Sequence, residues 1–225
     1  MTANMPRRLA AEFLGTLLLL AAVVGSGIMG ERLAGGNVAI ALLVNSIATG
    51  AALIAILLAL GEVSGAHLNP AVTLVELTCG SMSWREAVGY LAAQLAGAFA
   101  GVAVAHGMFG LAVYSVSTHV RSGPAQVFSE FLATFGLLAV ILGCARSRPA
   151  AVPYAVGAYI TSAYWFTAST SFANPAVTLG RALTNTFAGI RPVDVLPFVA
   201  AQLAGAFAAA LFFRWLMPEP AAQPH

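Results

Sequence analysis

Two copies of one hexapeptide, Asn-Pro-Ala-Val-Thr-Leu, occupy Asn69–Leu74 and Asn174–Leu179, 105 positions apart, and each breaks an apolar stretch of chain. Asn is favoured at a helix N-cap and Pro at the first helical position, so each copy reads as a helix start. Each then opens a run of about ten apolar residues, roughly 15 Å as a helix and half the hydrocarbon thickness of a bilayer. Two half-helices whose starts meet near the midplane aim two positive dipole ends and two Asn amides at one place. A pore built in this way admits neutral molecules and repels cations.

The rest of the chain makes the bilayer its solvent. Of 225 residues, 60% are hydrophobic and only 8% charged, too few polar groups to cover a water-soluble surface. Apolar runs of spanning length begin near positions 9, 38, 86, 125, 151 and 195, giving six spans beside the two half-spans. The run from Leu9 follows only Pro6, Arg7 and Arg8 and lacks a small-residue cleavage pattern, so it reads as the first span rather than a removed signal peptide. All ten basic residues are Arg. Arg7, Arg8, Arg85, Arg146, Arg148 and Arg214 fall on one side of the expected topology, and Arg32, Arg121 and Arg191 on the other. The positive-inside rule therefore puts both termini in the cytoplasm. A net charge of +2 without a basic cluster gives no sign of a nucleic-acid partner. Cys79 and Cys144 lie toward the cytoplasmic side and read as reduced thiols.

The halves match at three landmarks. Ala11–Thr16 (AEFLGT) parallels Ser129–Thr134 (SEFLAT), the hexapeptide recurs, and Ala92–Ala100 (AAQLAGAFA) returns unchanged as Ala200–Ala208. The same order of landmarks indicates duplication within one domain, 1–225, with repeats over about 8–107 and 125–216. Each half has three spans, an odd number, so the second copy enters from the opposite face and the repeat is inverted. The polar segment Ser115–Ser122 joins the halves outside the membrane. The expected fold is all-α, with six transmembrane helices and two re-entrant half-helices. Non-helical backbone at membrane depth must line a cavity or be buried in protein. Gly65, Ala66 and His67 before the first motif, and Phe172 and Ala173 before the second, are such backbone and are candidates to line a pore. Gly97 with Gly101, and Gly205 with Ala209, form small-residue pairs suited to close helix packing.

These residues resemble the major intrinsic protein, or aquaporin, family: Ala11–Thr16 in the first span, Ser64–Thr73 through the first re-entrant loop, and Asn174-Pro175-Ala176 in the second. The resemblance covers essentially the whole chain. It implies a homotetramer with one pore per protomer, no cofactor, and pore roles for Asn69, Pro70, Ala71, Asn174, Pro175 and Ala176. Intramembrane carboxylates suggest a functional site by default; the resemblance instead makes Glu12 and Glu130 acceptors for the re-entrant backbone. His67 has no partners at metal-ligand spacing, and no metal site is expected.

Most members carry Arg directly after the second Asn-Pro-Ala; here that position is Val177. Spacing from the motifs puts the other three constriction positions at Thr49, Ser162 and Ser171, so the ring reads as wide, hydroxyl-bearing and free of Arg. Pro197-Phe198 stands where glycerol-type members have Pro followed by an aliphatic residue, whereas Thr178 and Ala182 resemble the water-selective pattern. The motif reading NPAV is similar to bacterial channels associated with arsenical resistance. Arg181, one turn beyond Val177, either adds charge to the outer vestibule or is an interfacial Arg that snorkels to head groups or binds a carbonyl. The resulting expectation is a passive inner-membrane channel for water and small neutral solutes such as glycerol, urea or metalloid hydroxides. Two alternatives stand beside it: a secondary transporter on an inverted-repeat fold and a water-selective aquaporin. No nucleophile–base pair or paired catalytic acids mark an enzyme.

Overall fold

The computed structural model describes residues 4–217. Its helices are α1 (Met5–Leu33), α2 (Val38–Ser64), α3 (Pro70–Thr78), α4 (Trp84–Met108), α5 (Pro124–Ser147), α6 (Val152–Phe166), α7 (Pro175–Arg181) and α8 (Pro192–Leu216). Local chemistry sets their starts. The Asn4 and Asn37 side chains accept backbone N–H groups of the first turns of α1 and α2, and Ser83 with Glu86 closes a reciprocal capping box on α4. Pro stands in the first turn of α3, α5, α6, α7 and α8, where its missing N–H has no helical partner to lose.

Five helices, α1, α2, α4, α5 and α8, are long and apolar enough to cross a membrane. The sixth expected span, α6, has 15 residues and follows a 3-10 turn over Pro149–Ala151. Together they rise about 28 Å, close to the ~30 Å hydrocarbon layer. Its C-terminal end is cut short at Thr167, whose hydroxyl donates to the Ala163 carbonyl at 2.6 Å before the chain turns back toward the second loop.

The two halves are assembled alike. α1 packs on α4 and α2, α5 packs on α8 and α6, and α2 meets α6 across the centre. Lipid tails are as apolar as Leu, so these contacts depend on close backbone approach rather than on a hydrophobic drive. A Cβ at Gly97 of α4 would strike the Phe13 carbonyl oxygen of α1, and a Cβ at Gly205 of α8 would strike the Phe131 carbonyl oxygen of α5. Gly50 of α2 and Gly157 of α6 sit so close that a Cβ on either would come within 2.8 Å of the other's carbonyl oxygen. The outer surface carries exposed Ile47, Phe128, Leu196, Leu211 and Trp215, a face suited to lipid.

Candidate functional site

Each hexapeptide begins with an Asn in extended conformation that caps the half-helix it starts. Asn69 Oδ1 accepts the Ala71 N–H at 2.9 Å; Asn174 Oδ1 accepts the Ala176 and Val177 N–H groups at 2.9 and 3.2 Å. The amide nitrogens cross over. Asn69 Nδ2 donates to the Ala173 carbonyl and Asn174 Nδ2 to the Leu68 carbonyl, both at 2.8 Å. This exchange locks the two helix starts together in the interior. Each NH₂ has two protons, so one per Asn remains for whatever occupies the space in front of it.

The loops that deliver these Asn residues are bent in the same unusual way. Ala66 and Leu68 have φ of 45° and 52°, and Ser171 and Ala173 both have φ of 49°. Left-handed backbone costs an L-residue roughly 1–2 kcal/mol, so something must hold each bend. Glu12 accepts the His67 and Leu68 N–H groups at 2.9 and 2.8 Å, with the Ser64 hydroxyl at 2.6 Å and Gln94 Nε2 at 2.9 Å. Glu130 accepts the Phe172 and Ala173 N–H groups at 2.9 Å each, and Gln202 Nε2 at 2.7 Å. Gln94 and Gln202 also donate to the hydroxyls of Thr73 and Thr178. Both acids are fully buried, and neither is among the cavity-lining residues. Their oxygens are engaged by fixed donors, which suits bracing of the two loops.

Between the loops and the helices runs a cavity of about 330 Å³. One wall is apolar, from Leu19 and Val23 of α1, Leu53 and Leu57 of α2, Leu137 and Ile141 of α5, and Val156 and Ile160 of α6. The other wall is Gly65–Asn69 and Ser171–Asn174, where the backbone is non-helical. Glu76 lies toward the end that holds the termini, and Tyr164 and Arg181 toward the opposite end. His67 lines the cavity with its Nδ1 3.1 Å from the Thr73 hydroxyl and its ring against Tyr90. A path that is apolar on one side and polar on the other strips a solute of part of its hydration and returns hydrogen bonds along one line only.

The predicted constriction is brought together in three of its four positions. Thr49, Ser171 and Val177 line the cavity. Ser162 does not: it is exposed, and its hydroxyl donates to the Tyr159 carbonyl within α6 at 2.8 Å. Tyr164 takes the lumen position, its OH 3.1 Å from the Thr49 hydroxyl. Two residues along a helix turn the side chain by about 200°, so a two-residue error in spacing exchanges the lumen face for the outer face. The tight turn after Phe166 shortens the connection to the second loop and creates that error.

Arg181 is buried and binds a carbonyl, without reaching out to head groups. It is 1% exposed, lines the cavity, donates through Nε to the Ala188 carbonyl, and lays its guanidinium 3.3 Å from the centroid of the Phe172 ring. The same ring receives Arg121 at 5.0 Å. Arg121 comes from the polar segment between the halves, and its guanidinium donates to the carbonyls of Gly189, Ser169 and Phe187. Burial there pulls its pKa below the ordinary arginine value. That segment is stitched across the exit of α7 by Ser115 N–H to the Leu183 carbonyl and Ser117 N–H to the Ala182 carbonyl. Sequence reasoning passed over Tyr164, Arg121, Gln94 and Gln202. For the glutamines a signal existed, since they hold the same place in the repeated AAQLAGAFA segment.

The family model described as major intrinsic protein matches residues 1–152 and 145–224. The chain is 55% identical over 214 residues to the aquaglyceroporin AqpS of Rhizobium meliloti (strain 1021), covering 95% of this chain and 91% of that one. It is 36% identical over 210 residues to aquaporin NIP1-4 of Oryza sativa subsp. japonica, covering 90% and 76% respectively. In fold it is similar to the X-ray structure of the aquaglyceroporin from Plasmodium falciparum, with a TM-score of 0.77 at 21% identity over 96% of this chain and 98% of that chain. With paired Asn-Pro-Ala helix starts crossing in one cavity, and with these matches along its length, the chain belongs to the major intrinsic protein family, multi-pass membrane channels for water and small solutes rather than enzymes.

Proposed function

We propose that the protein conducts water together with solutes of glycerol size, passively, through the cavity at the two Asn residues. The observation that carries this reading is the crossed pair Asn69–Ala173 and Asn174–Leu68, which leaves one amide donor on each Asn directed at a lumen whose facing wall is apolar. Such a pair hydrogen-bonds a single oxygen in passage and gives an ion nothing to replace its hydration shell. Val177, small and apolar, leaves width beside Thr49 and Ser171, which supports glycerol, urea and metalloid hydroxides such as arsenite as solutes beside water. The name of the rhizobial relative, aquaglyceroporin, supports the same class.

The channel is an inverted repeat over about 8–107 and 125–216, acts as a homotetramer in the bacterial inner membrane, and has both termini in the cytoplasm. Like packing of α1 with α4 and of α5 with α8, and like bracing by Glu12 and Glu130, support the duplication. Purified protein in liposomes, tested by stopped-flow light scattering with water, glycerol, urea and arsenite, decides the matter. Flux that rises linearly with solute concentration is expected. Saturation at millimolar solute favours a transporter, and a parent that passes water alone removes the wide-filter reading.

A further inference from the structure

We propose that Arg181 is the lumen cation of this channel, a guanidinium that excludes protons and metal cations and hydrogen-bonds the oxygen atoms of neutral solutes beside the Ser171 hydroxyl. The proposal rests on the channel reading above. Val177 leaves the residue after the second Asn-Pro-Ala without charge, yet the cavity is not without charge. One helical turn further along α7, on the same face, Arg181 lines it.

The side chain is built into place rather than left over. Its Nε is held by the Ala188 carbonyl and one face of its plane by Phe172, and Phe172 is in turn set edge-on to the buried Phe198, with ring centroids 5.3 Å apart. Among the described residues the ion pairs are Arg8–Glu86 and Arg191–Asp194, so no carboxylate neutralises Arg181. Of the buried acids on this side, Glu130 has both oxygens taken by Phe172, Ala173 and Gln202, and Asp194 is held by Arg191 and the Arg121 N–H. Apart from Nε, the guanidinium makes no hydrogen bond to the described residues. Its two terminal nitrogens therefore carry four N–H donors with no partner among the described residues, on a side chain that lines the cavity. Ser171, also lining the cavity, has a buried hydroxyl with no partner. A buried hydroxyl without a partner is costly, and what relieves it, and meets the guanidinium beside it, is a water or solute oxygen in the lumen.

Arg121 supplies the contrast. It sits over the same ring, but its donors are spent on Gly189, Ser169, Thr170 and Phe187, and it is absent from the cavity lining. It braces the loop that carries Ser171 and adds a second positive charge behind the first. A fixed unit charge within several ångströms of the path, at the effective dielectric of a protein surface, lowers cation occupancy by roughly thirty- to hundred-fold.

The test is Arg181→Gln in proteoliposomes, with a pH-sensitive dye inside and K⁺ flux followed in parallel with water permeability. The ratio of proton and K⁺ leak to water permeability should rise about tenfold or more, and Arg181→Lys should restore it. A folded Arg181→Gln channel as cation-tight as the parent overturns the proposal. Should that variant not fold, the unaltered protein is treated with methylglyoxal, a small neutral arginine reagent, and its adducts are mapped by mass spectrometry. Arg181 modified while Arg121 is spared supports the assignment; Arg181 untouched while Arg7 and Arg85 react overturns it. The labelling is independent of flux, so a parent that conducts nothing defeats the channel reading and still leaves Arg181 tested.

Discussion

At the scale of single residues, what was readable in advance were groups whose environment is dictated by chain neighbours. Asn69 and Asn174 precede Pro inside apolar sequence, and an Asn-Pro step there has few roles other than a helix start. Glu12 and Glu130 are acids in spans, where the family resemblance made them acceptors for the re-entrant backbone, and the side chains of Ser64, Gln94 and Gln202 donate to them as well. Ser162 and Tyr164 were not distinguishable in this way, because both are polar, both lie on α6, and only the phase of the helix decides which faces inward. Two predictions belong here. Glu130→Gln replaces a carboxylate that accepts two N–H groups and the Gln202 amide with a carboxamide that must turn an NH₂ toward one of them. A loss of about 2 kcal/mol or more is expected, read as a lower Tm in detergent, with flux per folded channel reduced as the second loop relaxes. Val177→Arg puts a second guanidinium one turn from Arg181 in the same lumen. Like charges at that spacing repel, and the added bulk should cut the glycerol-to-water permeability ratio by about tenfold while water flux falls less. An unaltered ratio in folded protein would show that Val177 does not set the width.

At the scale of elements, helix starts were legible and one helix end was not. Caps and prolines act within a turn, so Asn37, Ser83, Pro70 and Pro175 mark their helices from local sequence alone. α6 stops at Phe166 because the chain must reach Glu130 with Phe172 and Ala173, a demand made by a helix about forty residues earlier. The small-residue pairs predicted close packing, and the structure identifies their partners as the carbonyl oxygens of Phe13, Leu17 and Phe131. Gly205→Leu therefore strikes backbone that cannot rotate away. A destabilisation of at least about 2 kcal/mol is expected, with separation of α8 from α5 seen as faster proteolysis in detergent. Ala at position 209 should accept Gly with a much smaller change, since the first half already carries Gly101 there.

At the scale of the whole molecule, the fold gathers the Arg residues at the two ends of the bundle. Arg8, Arg146 and Arg214 stand at the end of the bundle where α1 begins and α8 ends, while Arg121 and Arg191 stand at the other. Tags on both termini should react with impermeant reagents only after cells are opened, and a Cys placed at Thr118 should react from outside; a terminus labelled on intact cells would reverse the topology. Cys79 is exposed and Cys144 half-buried, and neither lines the cavity. Mercury chloride should accordingly leave water flux unchanged, and strong inhibition would place the conducting path elsewhere.

The sequence by itself determined that this is a membrane chain, that three of its segments recur in the same order, and that two half-helices begin with Asn. Those properties follow from composition, order and capping, all of which act over short stretches of chain. Tertiary structure alone decided the lining of the cavity at the end away from the termini. Which of Ser162 and Tyr164 faces inward depends on helix phase, and the placement of Arg181 depends on a carbonyl at Ala188 and a ring at Phe172 brought to it by the path of the chain. A long cationic side chain can reach lipid head groups, open water or a buried carbonyl from the same sequence position. The folded backbone selects among them, and here it holds the charge beside the pore.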